Sequence, residues 1–269
     1  MKERSTESDI GITLESKSVR EILKIQQQAD ASVADAVLLC IEQTAQLIEA
    51  IVPRMKDGGR LFYVGAGTSG RLGIVDASEC PPTFGVPHGR VVGIIAGGDT
   101  AIRKAVEFAE DSLEQAWLDL QQFRFEPIND SLLGISASGN TPYVLGAVKA
   151  ARSAGACVGA LVCNADSPIA AAVEFPIEAI TGPEILRGST RLKAGTAQKL
   201  ILNQISTGIF IQLGHVKGNL MVDMQLSNQK LIDRGTRFIC EQTGLEYDKA
   251  KEYLIYYQSV RAALAAISK

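Results

Sequence analysis

The sequence has few of the residues that mark metal and redox sites. It contains only two histidines, His88 and His215, which lie far apart, and its five cysteines are scattered without a CxxC pair. A histidine-based metal site is therefore not expected, and Cys157 and Cys163, which have apolar neighbours, are predicted to be small buried thiols. We expect neither a metal ion nor another cofactor.

The sequence also lacks a strong excess of charge and any long apolar run. Its 269 residues carry a formal net charge of −3, whereas nucleic-acid binders usually show a basic stripe, so no nucleic-acid partner is expected. No apolar run reaches membrane-spanning length, and the polar N-terminus has no signal core. These absences predict a cytoplasmic protein with no membrane partner. A hydrophobic content of 46% is ordinary for a globular chain of this size.

Short apolar runs alternate with helical patterns through the middle of the chain. The runs lie at 61–64, 91–95, 132–135, 157–162 and 173–177, and helical patterns follow Gly70 and cover 100–123 and 142–154. Such alternation predicts βαβ units, and therefore an α/β fold with a parallel sheet between two layers of helices. We expect an N-terminal arm and helices over 1–52, a sheet domain over 53–216 and a helical extension over 217–269.

The first candidate site is the glycine-rich turn Gly65-Ala66-Gly67-Thr68-Ser69-Gly70, which follows the run at 61–64. Its backbone N–H groups and two hydroxyls, at the expected start of a helix, are typical of phosphate binding, and we take Gly67, Thr68 and Ser69 as candidate ligands. Glu79 follows nine residues after the turn. Because a carboxylate repels phosphate, it is either an acid for proton transfer or a structural group that caps a turn before Pro81 and Pro82.

A second loop with the same character joins the run at 132–135 to the helix at 142–154. Ser136, Ser138, Asn140 and Thr141 could present polar groups to an anion, and Pro142 suits the first turn of the helix. The alternative is a capped turn that binds nothing. Ligands of parallel sheets bind where loops leave the carboxyl ends of the strands, so two such loops favour a shared site.

Two further features bear on this site. The segment 182–199 threads basic residues with serine and threonine, and we count Glu184, Ser189, Arg191 and Lys193 as candidate ligand-binding residues, although an ordinary solvated helix start would look similar. In the pattern at 100–123, Glu110 falls at the margin of an apolar stripe beside Trp117. A carboxylate against apolar surface suits a general base, but it could equally be an edge residue with its charge in solvent.

Together the segments 65–82, 94–98, 107–111, 136–143, 182–199 and 218–223 resemble the bacterial N-acetylmuramic acid 6-phosphate etherases, in order, over about residues 5–245. More widely the chain is similar to sugar isomerase (SIS) domains, which bind phosphosugars on a five-stranded parallel sheet. The resemblance implies an SIS-type three-layer sandwich and a likeness to the glucokinase regulatory protein, a relative that binds such sugars without catalysis.

The resemblance also implies a reaction. The enzyme would cleave the D-lactyl ether of N-acetylmuramic acid 6-phosphate, with Glu110 as the base for the C2 proton and Glu79 as the acid for the departing lactate. Ser69, Ser136, Ser138 and Thr141 would hold the phosphate, and Arg191 or Lys193 would meet the lactyl carboxylate. A non-catalytic phosphosugar sensor and an aldose–ketose isomerase are the alternatives, and neither needs Glu79.

Two departures from the family pattern accompany the resemblance. Phe108 stands where the family commonly has glycine, which is expected to alter how closely a substrate or partner chain approaches. The C-terminal helical piece is expected to be shorter than in the family.

The stretch 197–213 is apolar on most sides, which predicts a buried helix or a subunit interface, and a homodimer is expected.

Overall fold

A computed structural model describes Thr6 and residues 10–268, so the arm expected at the N-terminus lies partly outside the described residues. The strands of this part of the chain are β1 (Leu61–Gly65), β2 (Val91–Ile95), β3 (Ser131–Ser136), β4 (Cys157–Val162) and β5 (Phe175–Glu178). Its first six α-helices are α1 (Val19–Ala31), α2 (Val33–Leu38), α3 (Ile41–Lys56), α4 (Gly67–Phe84), α5 (Gly98–Arg103) and α6 (Gln115–Gln122). The remaining ones are α7 (Pro142–Ser153), α8 (Pro168–Ala171), α9 (Lys193–Gln212), α10 (Gln229–Thr243), α11 (Tyr247–Tyr257) and α12 (Val260–Ile267).

The five strands form one parallel sheet in the order β2-β1-β3-β4-β5. The chain leaves β1 for β2 on one side and then crosses back to β3 on the other, so the strand order reverses between β1 and β3. Open parallel sheets bind their ligands at such a reversal, beyond the carboxyl ends of the strands. Gly65 of β1 pairs with Ile135 of β3, which brings the loops after these two strands to the same edge.

Helices cover both faces of the sheet. This agrees with the continuous apolar runs of the strands, which are typical of strands buried on both faces. On one face, Phe62 and Val64 pack with Val144 and Val148 of α7 in a core that also takes in α6 and α8. On the other face, Gly159 of β4 lies against Leu47 of α3, where an added Cβ would come within 2.8 Å of the leucine side chain. The sequence-based α/β class is therefore confirmed.

The chain divides into two compact units, 1–77 with 91–205 and 78–90 with 206–269. The three parts expected from the sequence, 1–52, 53–216 and 217–269, have other boundaries and stay a prediction. The helices before the sheet belong to the first unit because α3 buries Leu47, Ile51 and Met55. The second unit takes in residues 78–90 because Phe84 stacks on Phe210 with ring centroids 4.6 Å apart, and the Pro82 carbonyl accepts from the Gln225 N–H.

The second unit has an apolar core of its own, built from the segment before α10 and from α10, α11 and α12. Val222, Ile239, Leu254 and Val260 are fully buried in it. Arg261 donates to both carboxylate oxygens of Asp223, at 2.6 and 2.8 Å. This ion pair fixes the start of α12 on the segment that enters the unit.

Four expected elements differ from the structure. The helix expected over 100–123 is broken into α5 and α6, because Lys104 is extended and residues 104–114 turn instead of continuing the helix. The fifth strand begins at Phe175 rather than 173, since α8 and its C-cap occupy the residues before it. The helices expected over 221–243 and 246–267 are shorter, the first starting at Gln229 and the second broken at Gln258, which has a left-handed backbone.

The helices of the described residues differ in length and apolar character. No single helix among them is long and apolar enough to cross a membrane, although 19–38 and 41–56, bent by 54°, meet the criterion as a pair. The second member of that pair is α3, whose apolar side packs in the unit that contains the sheet.

Helix α9 buries Ile201, Ile205 and Ile209, which agrees with the buried helix predicted over 197–213. The homodimer stays a prediction.

Candidate active site

The first glycine loop turns the chain from β1 into α4 at very close range. A Cβ on Gly65 would lie 2.6 Å from the backbone nitrogen of Gly70, so only glycine fits there. No described atom lies within 4 Å of a Cβ placed on Gly67, which begins the helix with φ 51°. Helix α4 therefore starts four residues earlier than the sequence predicts, and its N-terminus has open space in front of it. Free N–H groups with room for a ligand can bind an anion.

The two hydroxyl residues of this loop face the start of α9. Ser69 is buried, and its hydroxyl donates to the amide oxygen of Gln198 at 2.9 Å. A Cβ on Gly195 would lie 3.5 Å from the methyl group of Thr68. The segment 182–199 is therefore brought to the first loop by the fold. Gln198 was missed by the sequence reasoning, and no described group accepts from its buried amide nitrogen.

The second loop forms a compact polar turn at the carboxyl end of β3. The hydroxyl oxygens of Ser136 and Thr141 lie 2.9 Å apart, and the backbone N–H of Gly139 donates to Ser136 Oγ at 3.1 Å. Ser138 Oγ accepts from the backbone N–H of Asn140 at 3.2 Å. Pro142 is at the first turn of α7, as predicted. The hydroxyls are thus already held at the edge of the sheet where the first loop lies.

Glu184 was expected among the ligand-binding residues, and the structure gives it a structural contact. Its side chain is fully buried, and its two carboxylate oxygens accept from the backbone N–H groups of Lys193 and Ala194, each at 3.0 Å. These N–H groups open the 20-residue helix α9 and have no partner within it. Glu184 therefore caps α9, and a contact with ligand stays a prediction.

The basic residues of the same segment differ in how accessible they are. The ammonium group of Lys193 is buried and donates to the carbonyl oxygen of Thr181 at 2.5 Å. Arg191 is exposed, and Ser189 is half-buried in the turn before α9. Of the two cations expected to meet a second anionic group, Arg191 is therefore the one whose side chain is open to solvent.

Glu110 lies in a cavity, although the helical stripe used to find it does not exist. It is exposed in the irregular segment 104–114, and it lines a cavity of about 220 Å³ together with Gly67 at the start of α4. Arg71 and Phe108 line the same cavity. The structure thus places a carboxylate and the N-terminus of α4 at one opening. The fold of the loop brings them together, and a helical periodicity does not.

Contacts with α7 hold the segment that carries Glu110. The carbonyl oxygen of Glu110 accepts from the backbone N–H of Tyr143 at 3.0 Å, which ties the segment to α7. Burial raises the pKa of Tyr143 well above its usual range, as does the hydrogen bond that its hydroxyl donates to Asp119 at 2.5 Å. A Cβ on Gly146 would collide with the carbonyl oxygen of Leu113, so glycine allows α7 to approach the segment.

Arg71 was also missed by the sequence reasoning. From the second turn of α4, its guanidinium donates to the carbonyl oxygens of Ala101 and Ile102, at 2.7 and 2.9 Å. It therefore links the glycine loop to helix α5, which leads into the segment of Glu110. An arginine one residue after the glycine loop was the available signal, but sequence alone gives no partner for it.

Glu79 lies in α4, in the part assigned to the second compact unit. Its side chain is exposed. The alternative role as a cap of a turn is wrong, because the helix continues through Pro81 and Pro82 to Phe84. The prolines lack the N–H groups that would bond to carbonyls one turn earlier, so the helix is weakened next to Glu79.

Possible metal ligands and cysteines are the other groups that could carry chemistry. Within the described residues, no cluster of three or more His, Cys, Asp or Glu side chains could hold a metal ion. Cys157 and Cys163 are buried as predicted, and burial raises the pKa of both thiols. These thiols are therefore protonated near neutral pH and unreactive.

Comparisons with known proteins bear on the family to which the chain belongs. Residues 43–152 match the model of the glucokinase regulatory protein N-terminal SIS domain. An N-acetylmuramic acid 6-phosphate etherase from Bacteroides fragilis is 56% identical over 253 residues, which are 94% of this chain and 90% of that protein. One from Pectobacterium atrosepticum is 47% identical, covering 93% of this chain and 82% of that protein.

The chain belongs to the N-acetylmuramic acid 6-phosphate etherase family. The resemblance seen in the sequence is thereby confirmed, and as a member of this etherase family the protein is an enzyme of the carbon–oxygen lyase class. Solved structures agree on the fold. A phosphosugar isomerase from Bacteroides fragilis aligns with a TM-score of 0.56 at 20% identity, over 74% of this chain and 94% of that one. A phosphoheptose isomerase from Neisseria gonorrhoeae gives 0.53 at 21%, over 73% and 98%.

Proposed function

We propose that this etherase cleaves the D-lactyl ether of N-acetylmuramic acid 6-phosphate and releases N-acetylglucosamine 6-phosphate and D-lactate, in the recycling of cell-wall sugar. The etherase relatives are named for that substrate and are 47–56% identical to this chain. The observation that carries the proposal is the cavity in which the anion-binding start of α4 and the carboxylate of Glu110 lie together.

The phosphate binds at the sheet edge between β1 and β3. The open N-terminus of α4 supplies backbone N–H groups and a favourable dipole, and Ser69 supplies a hydroxyl. Ser136, Ser138 and Thr141 of the adjacent loop supply the rest, with Thr68 and Asn140 at the rim. This placement is supported by the strand order, because both loops follow neighbouring strands at the point of reversal. Arg191, exposed in the turn before α9, meets the lactyl carboxylate.

The reaction is an elimination followed by addition of water. In the ring-opened sugar the C1 aldehyde acidifies the C2 proton, which Glu110 removes. The C3–O bond breaks as the C2–C3 double bond forms, and Glu79 gives its proton to the departing lactate oxygen. Water then adds to C3 with help from Glu79, and C2 regains a proton. General acid and base groups each typically contribute about 10²–10⁴-fold to such steps.

A non-catalytic sensor and an isomerase were the alternatives, and the comparisons do not favour them. A sensor needs neither carboxylate, and an isomerase needs no acid for a leaving group. The identity to the etherases extends over the segments that contain both residues. The cytoplasmic location and the homodimer stay predictions.

The direct test is to incubate the purified protein with N-acetylmuramic acid 6-phosphate and to measure D-lactate. Release of D-lactate with N-acetylglucosamine 6-phosphate is the expected result. Binding of the sugar phosphate without release of lactate would support the sensor, and conversion to a ketose without release would support the isomerase. Glu110→Gln protein serves as the control for lactate that arises without catalysis.

A further inference from the structure

Phe108 has a backbone conformation that its side chain does not favour. Its φ is 59°, in the left-handed region that suits glycine and that costs a bulky residue free energy. The surrounding turn explains why the backbone is held there. The Ala109 N–H donates to the Val106 carbonyl, and the Asp111 N–H donates to that of Phe108 at 3.2 Å. Strain of this kind persists only where neighbouring contacts impose it, and it is concentrated at functional sites.

The surroundings of the turn are fixed on both sides. A Cβ on Gly97 would lie 2.8 Å from that of Val106, so the strand end approaches the turn closely. On the other side, the Glu110 carbonyl is bonded to Tyr143 of α7. The backbone of Phe108 is therefore set by its neighbours and does not depend on its own ring.

The ring of Phe108 is hardly buried by the rest of the chain. The side chain is 83% exposed, the second most exposed of the large hydrophobic side chains in the described residues. Yet Phe108 lines the cavity that Gly67 and Glu110 also line, so the ring lies at its mouth. A strained backbone at an exposed residue that lines a cavity points to a role for that residue at the cavity.

We propose that Phe108 is a specificity-determining residue whose ring covers the bound sugar phosphate and packs on the apolar C–H face of the amino sugar. The inference rests on the proposed function for the identity of the ligand. In this arrangement the start of α4 takes the phosphate and Glu110 faces the reacting carbons, and Phe108 lines the same cavity as both. The ring at the mouth then buries the remaining apolar surface of the sugar, which a smaller residue would leave in water.

Calorimetry on the full chain tests the proposal without depending on turnover. The probes are N-acetylglucosamine 6-phosphate and inorganic phosphate, each with wild type, Phe108→Ala, Phe108→Tyr and Phe108→Gly. Removing the ring in the alanine variant is expected to weaken sugar-phosphate binding by about threefold to tenfold, with phosphate binding unchanged. The tyrosine variant keeps an aromatic ring and is expected to bind the sugar phosphate like wild type. Phe123→Ala removes another exposed phenylalanine, outside the cavity, and is the matched control.

Alanine and glycine both lack the ring but differ in the Cβ, so they separate the ring from the backbone. The glycine variant is expected to bind the sugar phosphate as weakly as the alanine variant. It is expected to unfold at a higher urea concentration than the alanine variant, because glycine relieves the positive φ. Equal sugar-phosphate affinity in wild type and Phe108→Ala would overturn the proposal. So would dissociation of a wild-type oligomer in Phe108→Ala with unchanged affinity, since the ring would then serve a second copy. Absence of lactate release with these binding differences intact would refute the proposed reaction alone.

Discussion

The Ser69 hydroxyl and the amide oxygen of Gln198 lie 2.9 Å apart, which joins the start of α4 to the start of α9. Both side chains are buried, and no described acceptor meets the Gln198 amide nitrogen. Turning the amide by a half-rotation would let that nitrogen donate to Ser69 Oγ. The serine proton would then be available to a phosphate oxygen. This pair therefore connects two segments that are 129 residues apart in the sequence to one candidate anion site.

The first prediction concerns this serine. Ser69→Ala removes a hydroxyl donor to the phosphate, and a hydrogen bond to a charged group is typically worth enough to raise KM about tenfold to a hundredfold. The value of kcat is expected to change much less, because the lost contact is made equally in the ground and transition states. Steady-state kinetics of D-lactate release measure both constants. Ser153→Ala, at an exposed serine at the end of α7, is the control. An unchanged KM in Ser69→Ala would remove Ser69 from the phosphate site.

The second prediction compares two carboxylates that line the same cavity, Glu107 and Glu110. Glu110→Gln leaves the shape of the side chain but removes the base, so kcat is expected to fall by about 10²–10⁴-fold. Glu107→Gln is the matched control, three residues away, and is expected to retain nearly full activity. Single-turnover release of D-lactate measures the difference. If the Glu107 variant lost the larger share, the base would be Glu107 instead.

The third prediction is about stability. Glu184→Ala leaves the N–H groups of Lys193 and Ala194 buried without an acceptor at the start of α9, and it is expected to lower the free energy of unfolding by about 2–4 kcal/mol. Glu184→Gln keeps one acceptor oxygen and is expected to lose less. Urea denaturation followed by circular dichroism measures the change. Glu241→Ala, at an exposed position of α10, is the control and is expected to stay within about 0.5 kcal/mol of wild type.

A small effect of Glu184→Ala on stability combined with a large rise in KM would contradict the capping role. It would instead return Glu184 to the substrate, as the sequence suggested. The present contacts favour the cap, because both carboxylate oxygens are already used by the backbone.

Much of the fold could be predicted from periodicity and from glycine placement. The runs at 91–95 and 157–162 coincide with strands, and the turns at Gly65 and Gly139 are glycine-rich for geometric reasons that the structure makes visible. The α/β class followed from the alternation of strands and helices alone. Local signals of this kind are strong because the spacing of apolar residues follows the geometry of each helix or strand.

The features that depend on long-range contacts could not be predicted in this way. An apolar repeat through 100–123 resembles one helix, but the backbone of 104–114 instead turns against Gly97 and Tyr143. The sequence alone suggests that Glu184 binds a ligand. Only the structure shows the two backbone N–H groups that donate to its carboxylate. The partners of Arg71 and Gln198 lie some 30 and 129 residues away, and no spacing rule indicates them.

The measurement that tests the elimination most directly uses Glu79→Gln in deuterated water. Base removal of the C2 proton by Glu110 needs no acid at the lactyl oxygen, whereas breakage of the C3–O bond does. Substrate recovered from the variant is therefore expected to carry deuterium at C2, while D-lactate release is blocked. Glu241→Gln serves as the control, and Glu110→Gln is expected to lose both signals. Equal loss of exchange and of lactate release in Glu79→Gln would contradict the division of roles between the two carboxylates.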